Sequence, residues 1–351
     1  MPVAPPAAPG TASAGGGGES ASPVAAVRGW QRELAEAVRD PAELCRLLGL
    51  EESVAAEAAR SAGGFGLLVP RAFLSRMRPG DPHDPLLVQV LPRAGELGQV
   101  DGFTADPLEE SAALAAPGLI RKYAGRALVL ATGACAINCR YCFRRDFPYA
   151  GSGATQAGLE EAVAAIAADP AIHEVILSGG DPLLLDDRRL EWLVGRIGGI
   201  GHVRRLRIHT RLPIVLPSRV TDELLAILAA ARPTCVVVVH ANHAAELDGA
   251  VAAAIGRLSS ARAILLNQSV LLAGVNDSVE ALRDLSERLV DLGVVPYYLH
   301  LLDRVRGTAH FEVSEAAAAR LHGQLRGLLP GYAVPRLVRE VPGEPAKVWI
   351  G

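Results

Sequence analysis

The chain has 351 residues, of which 50% are hydrophobic and 21% are charged, and its formal net charge is -3 at pH 7. This net charge is too small to create a global field that favours nucleic acid or an acidic membrane. No apolar run approaches the length of a membrane span, and the chain length suits one barrel-sized domain with additions or two smaller domains.

Residues 1–118 lie before the alternating strand and helix patterns that begin at Ala127. Residues 1–23 consist mostly of Ala, Pro, Gly and Ser, so we predict a disordered, low-complexity segment. It has no basic region followed by an apolar run, so we do not interpret it as a signal peptide. From Trp30 to about Ala62 the hydrophobic spacing indicates helices, which we assign to a helical cap region at 24–118.

Three of the five cysteines stand together in a C-x3-C-x2-C pattern, at Cys135, Cys139 and Cys142. The apolar run Ala127–Thr132 precedes them and predicts a buried strand, so the thiols lie on the loop that leaves a strand end. Three thiolates on one loop can ligate an iron–sulfur cluster. In a [4Fe–4S] cluster they would leave one iron open to a ligand from outside the protein. A zinc site, normally closed by four ligands, and a chance spacing are the alternatives.

The other two cysteines, Cys45 and Cys235, are next to apolar residues, so we predict that they are small buried hydrophobic side chains. The odd number of cysteines and the absence of a secretory context disfavour disulfides. Clustered cysteines of this kind predict a reducing compartment, the cytoplasm.

From Ala127 onward, apolar β-branched runs alternate with helical patterns. The predicted strands are Ala127–Thr132, Glu174–Ser178, Leu206–Thr210, Cys235–His240, Ala263–Val270 and Val294–His300. The predicted helices between them are Leu159–Ala168, Arg189–Ile197, Asp222–Ala231, Ala245–Leu258 and Val279–Leu292. Six such units imply a parallel sheet with right-handed crossovers and fall short of an eight-unit barrel. We therefore predict an α/β fold with an N-terminal helical extension, an open partial TIM-like barrel, (βα)6, at 119–310, and a C-terminal helix and tail at 311–351.

In a barrel of this kind, functional residues lie at the C-terminal ends of the strands. After the second strand comes Ser178-Gly179-Gly180-Asp181, where two glycines let backbone amides approach a polar ligand, although a tight turn would also use them. An acid at a barrel mouth, Asp303, suits a cationic substrate group. Other polar residues are candidates too, with hydrogen bonding at the barrel mouth as an equal alternative for the histidines: His209, Thr210, Arg211, His240, Asn242, His243, Asn267, Gln268, Ser269 and His300.

Arginines crowd the cysteine loop. Arg144, two residues after the last cysteine, is predicted to bind a carboxylate in a bidentate manner. For Arg140 and Arg145 a surface position is a reasonable interpretation.

The last segment, from Leu337, contains Pro342, Gly343 and Pro345, which predict an irregular tail. Its apolar end at 348–350 predicts that the tail docks onto the domain. Lys347 is either a solvated tail residue or, in a closed apolar site, a residue that forms a Schiff base with pyridoxal phosphate (PLP).

Taken together, these motifs resemble known proteins. The cysteine loop and the Gly-Gly pair resemble the radical SAM superfamily, in which the open iron binds the amino and carboxylate groups of S-adenosylmethionine (SAM). Within it, the chain is similar to the lysine 2,3-aminomutase family from about Phe65 to Lys347. The similar segments are CAINCRYCFRRDFPYAG, LSGGDPL, RLRIHTRLPIVLPSRVT, LLNQSVLLAGVND and PYYLHLLD.

The resemblance implies a [4Fe–4S] cluster on Cys135, Cys139 and Cys142, together with SAM and PLP. It implies that Lys347 binds PLP, that Arg126 lies near the PLP phosphate and that Arg144 holds the substrate carboxylate. Asp303 and Glu340 match two acids that face the ε-ammonium of lysine, with Glu340 at a position where free-lysine members have Asp. The predicted cofactor-binding residues are completed by Ser178, Gly179, Gly180, Asp181, Asn267, Gln268 and Ser269.

The activity that the resemblance implies is a radical 2,3-amino shift that converts L-lysine to β-lysine, in the R form. An external electron donor of the flavodoxin or ferredoxin type would supply the electron. DFPYAG, YYLHLLD and the short tail after Lys347 are most similar to the branch that acts with elongation factor P, where a separate ligase attaches the product. A free-lysine mutase for catabolism, osmolyte or antibiotic supply is the alternative. An Fe–S electron carrier or redox sensor is the alternative of another class, and no nucleic-acid or membrane partner is predicted.

Overall fold

The computed structural model of the chain describes residues 29–350, so the predicted disorder of residues 1–23 lies outside the described residues. Within this range, ten strands form one sheet in which the spatial order equals the sequence order. They are β1 Leu114–Ala116, β2 Leu119–Ile120, β3 Arg126–Thr132, β4 Glu174–Gly179, β5 Arg205–Thr210, β6 Thr234–Val239, β7 Ile264–Val270, β8 Val295–His300, β9 Arg336–Arg339 and β10 Val348–Trp349.

The helices precede the sheet or cross over between its strands. They are α1 Gly29–Ala35, α2 Pro41–Leu47, α3 Glu52–Ser61, α4 Arg71–Leu74, α5 Pro85–Val88, α6 Gln156–Ala168, α7 Asp187–Gly198, α8 Leu212–Val215, α9 Asp222–Ala230, α10 Gly249–Ser260, α11 Val279–Asp291 and α12 Glu315–Leu328. Each long crossover helix begins after a side-chain N-cap that accepts a backbone N–H: Thr155, Asp186, Thr221, Asp248, Ser278 and Ser314. No described helix is both long and apolar enough to cross a membrane.

Strands β3 to β9 run parallel to one another, whereas β2 and β10 are antiparallel to their neighbours. Among the described strands, no backbone pairing joins the two ends of the sheet. The predicted alternation of six strands and five helices in a parallel, open α/β arrangement is therefore confirmed. The domain boundaries proposed from the sequence stay a prediction.

Two local expectations were wrong. The helix predicted from Ala245 begins only at Gly249, because Asp248 caps it and Ala244–Glu246 forms a separate 3-10 turn. The tail predicted to be irregular from Leu337 contains β9 and β10, which pair with each other around the loop at 340–347. Backbone pairing with β8 overrides the unfavourable local composition here.

The two faces of the parallel sheet differ in chemistry because successive side chains of a strand point to opposite faces. On β4 and β5 the side chains of Val175, Leu177, Leu206 and Ile208 are fully buried in the main hydrophobic core, which also contains residues of the crossover helices. The alternate residues face the interior of the partial barrel. This inner face carries the polar side chains that form the site.

Candidate functional site

One cavity of about 340 Å³ occupies the interior of the partial barrel and gathers most of the residues that the sequence singled out. Its wall includes side chains from every parallel strand or from the segment that follows it. The predicted site residues that line it are Arg126, Cys135, Cys139, Cys142, Arg144, Ser178, Gly179, Gly180, Asp181, Gln268, Asp303, Glu340 and Lys347.

Strand alternation explains which polar residues reach the cavity. Gln268 lines it, but its neighbours Asn267 and Ser269 do not. Those two side chains bond instead to the backbone of Ala241, with the Asn267 amide oxygen 2.9 Å from Ala241 N and the Ser269 hydroxyl 2.8 Å from Ala241 O. The structure thus gives Asn267 and Ser269 a supporting position between β6 and β7. The cofactor-binding roles assigned to them remain predictions.

The cysteine loop lies at the C-terminal end of β3, and its three thiols are free, partly exposed and directed to the same cavity. No group of three His, Cys, Asp or Glu side chains in the described part of the chain is close enough to hold a single metal ion. Cys45 and Cys235 are buried elsewhere, as predicted.

The surface interpretation of Arg140 and Arg145 was wrong. Arg140 is fully buried, its Nε donates to Glu96 at 2.8 Å, and its Nη1 donates to the carbonyl of Phe65 at 2.7 Å. The Arg145 side chain is 8% exposed and donates to the same Glu96 carboxylate at 2.9 Å. Both arginines therefore anchor the cysteine loop to the segment before the barrel.

The Gly-Gly pair packs directly against this loop. A Cβ atom at Gly180 would lie 2.1 Å from the carbonyl oxygen of Ala134, and one at Gly179, whose φ is +114°, would lie 2.5 Å from that of Thr132. Only glycine allows this close approach of two backbones. The next residue, Asp181, accepts from the Thr210 hydroxyl at 2.7 Å and from the backbone N–H of Arg211 at 2.7 Å, so its carboxylate fixes the end of β5.

Arg144 is buried and already has a bidentate partner, which the sequence did not reveal. Its Nε and Nη2 donate to the two oxygens of Glu110 at 2.6 and 2.9 Å. Its Nη1 donates to the Ser178 hydroxyl at 2.9 Å and to the Gly179 carbonyl at 3.1 Å. Burial opposes ionisation of Glu110, but Arg144 and Lys122 outweigh it and lower the Glu110 pKa. This leaves one N–H, on Nη2, for a ligand, so the bidentate carboxylate role of Arg144 remains a prediction under that constraint.

Glu340 is the centre of a second charge cluster. Its two oxygens accept hydrogen bonds from Lys347 and from Lys122, the latter at 3.0 Å. Burial would raise the pKa of Glu340, but the two ammonium groups overcome it and lower that pKa to about 2. Lys122 also lies 3.3 Å from Glu110, which connects Arg144 to Lys347 through alternating charges.

Asp303 lies in the same cavity, and no hydrogen bond to its carboxylate is found among residues 29–350. Burial, followed by the negative charge of Glu340, raises the pKa of Asp303 to about 7. An acid without a partner, next to a carboxylate that already has two lysines, is suited to receive an external cation.

Burial lowers the pKa of the three histidines that line the cavity, His209, His240 and His300. Burial lowers the His300 pKa to about 3 with help from Lys347, and burial together with Arg207 lowers the His209 pKa well below its usual range. Their buried Nε2 atoms have no partner in the described part of the chain. His240 differs, because its Nε2 lies 2.9 Å from the Tyr141 hydroxyl. His243 caps a turn instead, accepting from Ala245 N at 3.1 Å.

Sequence reasoning missed Glu110 and Lys122, although the composition held a signal for Lys122. The chain has 35 basic residues, and Lys122 and Lys347 are its only lysines. Both contact Glu340 in the same cavity. In a chain that otherwise uses arginine, a rare lysine indicates a position where a compact ammonium group is needed.

Comparison with known proteins agrees with this geometry. Residues 129–295 match the radical SAM superfamily model. The chain is 48% identical over 319 residues to L-lysine 2,3-aminomutase of Escherichia coli, covering 91% of this chain and 93% of that protein. It is 45% identical over 318 residues to the protein of that name in Haemophilus influenzae, covering 91% and 94%. It is 34% identical over 315 residues to that of Clostridium subterminale, covering 90% and 76%. The chain therefore belongs to the L-lysine 2,3-aminomutase family of the radical SAM superfamily.

Proposed function

We propose that this protein catalyses a 2,3-amino shift that converts L-lysine to β-lysine, in the R form. The observation that carries the proposal is that a loop of three free thiols, a lysine and two acids line one cavity. The relatives named L-lysine 2,3-aminomutase, matched over nine-tenths of the chain, support the same activity.

The residues fit the cofactors that the family implies. Three free thiols suit an iron–sulfur cluster, because cysteine sulfur is its usual ligand. The Gly-Gly pair lines the cavity next to that loop, where the resemblance implies the amino group of SAM. Lys347 provides an amine for PLP, and Arg126, which lines the same cavity, provides a cation for its phosphate. When bound, the cluster and SAM supply a radical that abstracts hydrogen, and PLP carries the migrating amino group.

The protein itself positions the substrate. Arg144 directs its remaining N–H to the lysine carboxylate, and Asp303 binds the ε-ammonium with Glu340 beside it. Holding both ends of the substrate fixes one carbon relative to the reacting group, which is the main rate contribution that a protein makes in such chemistry. The barrel wall and the β9–β10 tail line part of the cavity and would limit the access of water to a bound substrate.

We place the product in the modification of elongation factor P, with a separate ligase attaching β-lysine to that factor. The support is the similarity of DFPYAG and YYLHLLD to that branch. An external donor of the flavodoxin or ferredoxin type supplies the electron, and the reaction takes place in the cytoplasm.

Deleting the gene should remove β-lysine from elongation factor P. If the factor is unmodified in the wild type, a free-lysine mutase is the better reading.

The activity is tested by mass spectrometry of products formed anaerobically from L-lysine, SAM, PLP and dithionite by reconstituted protein. We expect β-lysine from the wild type and none from Cys139→Ala. The matched control, Cys235→Ala, changes a cysteine that is buried outside the cavity and should retain activity. If a brown, cluster-loaded protein does not cleave SAM, the proposal fails in favour of an electron carrier.

A further inference from the structure

Arg211 has a contact that the proposed mechanism does not use. It follows β5, and its side chain extends beneath the cysteine loop, where Nη1 donates to the sulfur of Cys139 at 2.7 Å. The side chain is 7% exposed, so this contact is shielded from solvent. The geometry therefore places a buried cation directly on one of the three thiols.

The guanidinium is held in place by a fixed partner set. Its Nη2 donates to Gln89 at 2.7 Å and to Glu246 at 3.0 Å. Glu246 is completely buried and is itself fixed by the backbone N–H groups of Asn242 at 2.8 Å and His243 at 3.1 Å. Because these partners come from three separate segments, Arg211 cannot turn away from Cys139 without breaking buried hydrogen bonds.

The physical consequence concerns the cluster. Reduction adds one negative charge, and a cationic N–H donor to a ligating sulfur stabilises the reduced form more than the oxidised form. The buried Glu246 carboxylate, which is paired with that donor, disfavours the added negative charge. Both electrostatic effects are strong where water is excluded.

We propose that Arg211, acting through Cys139, raises the reduction potential of the cluster, and that Glu246 limits this increase. The inference rests on the proposed function in one respect, namely that the three cysteines hold a [4Fe–4S] cluster. Arg211 would thereby favour transfer of the electron from the external donor to the cluster, a step that does not depend on the lysine substrate.

The main competing role for Arg211 is binding of SAM. Its Nε is buried, lacks a partner among residues 29–350 and belongs to a side chain that lines the cavity. If Arg211 only binds SAM, its substitution would change the affinity for SAM and leave the reduction potential of the SAM-free cluster unchanged. The two roles are therefore separated by measuring the potential without SAM.

The experiment is a redox titration of the reconstituted, SAM-free protein followed by electron paramagnetic resonance. We expect Arg211→Met to shift the midpoint potential to more negative values and Glu246→Gln to shift it to more positive values. Arg211→Lys, which keeps the charge but not the planar fork, should give a smaller negative shift than Arg211→Met. Asp222→Asn, on the outer helix α9 and 96% exposed, is the matched control and should leave the potential unchanged.

Opposite shifts in the two variants are a result that general loss of packing does not produce. Shifts of the same sign, or no shift in protein with full iron content, would overturn the proposal. If Arg211→Met does not fold, the proposal is tested by the other two variants. A positive shift of the midpoint potential in Glu246→Gln and a negative shift in Arg211→Lys would support it, and any other pair of signs would overturn it. A wild type that binds no cluster would reject the proposed function itself, which is a separate outcome.

Discussion

Lys122 donates to Glu340 across the open side of the partial barrel, with Nζ 3.0 Å from Oε1. Lys122 follows β2 near one end of the sheet, and Glu340 follows β9 near the other end. Since no described backbone pairing closes the sheet, this ion pair joins its two ends. The second oxygen of Glu340 holds Lys347, so the contact that closes the barrel also positions the proposed PLP lysine.

The first prediction concerns covalent binding of PLP. Treating the protein with PLP and then borohydride should label Lys347, because this amine lines the cavity that Arg126 also lines. Peptide mass spectrometry gives a clear answer, since Lys122 is the only other lysine. Lys347→Arg should abolish the labelling and Lys122→Arg should retain it. Labelling at Lys122 in the wild type would contradict the assignment.

A second prediction follows from the pKa of Asp303. Its pKa is raised to about 7, so the carboxylate that binds an ammonium group is fully present only above that pH. Lysine binding should therefore strengthen as pH rises through about 7, by at most about tenfold per pH unit for one proton. Equilibrium binding of L-lysine between about pH 6 and 8 measures this. In Asp303→Asn, binding should be weaker and independent of pH over that range.

The same shift predicts a stability effect of the opposite sign to that of an ordinary paired carboxylate. A raised pKa means that the folded state disfavours ionisation, so stability is lost as pH rises from about 4 to about 7. Asp303→Asn should therefore be more stable than the wild type at about pH 8 in chemical denaturation. At about pH 4 this gain should disappear, and a gain of equal size at both pH values would contradict the raised pKa.

A third prediction tests the packing of the Gly-Gly pair. Gly180→Ala would bring Cβ to within 2.1 Å of the Ala134 carbonyl oxygen, so the cysteine loop has to move. We expect loss of most of the iron bound after reconstitution, measured per polypeptide. Gly256→Ala is the control, because it lies within α10 with open space around the new methyl group. That variant should keep its iron and gain up to about 1 kcal/mol in stability.

A fourth prediction concerns the buried pair of Glu110 and Arg144. Glu110→Gln leaves the guanidinium buried without its counter-charge, which should cost about 3 kcal/mol or more in the free energy of unfolding. The control is Asp222→Asn, which breaks an ion pair with Arg257 in which the Asp is 96% exposed. Exposed pairs contribute less than about 1 kcal/mol. Equal losses in the two variants, measured by chemical denaturation, would show that Arg144 does not depend on Glu110.

The alternation of side chains along β7 separates the residues that face the cavity from those that do not. Gln268 lines the cavity, whereas Asn267 and Ser269 lie on the other face of β7. The alternation could have separated them, because residues one apart in a strand point in opposite directions. The two strands of the tail were missed for a different reason. β9 and β10 depend on pairing with each other and with β8, which local composition does not encode.

The sequence by itself determined the alternation of strands and helices, the cysteine loop at the end of β3 and the family resemblance, because each is a local pattern of hydrophobicity or spacing. Only the tertiary structure decided which charged side chains meet. Lys122 and Glu340 are 218 residues apart, and Arg211 and Cys139 are 72 apart. Such contacts are fixed by the order of strands in the sheet and by burial, and no local pattern in either segment predicts its partner.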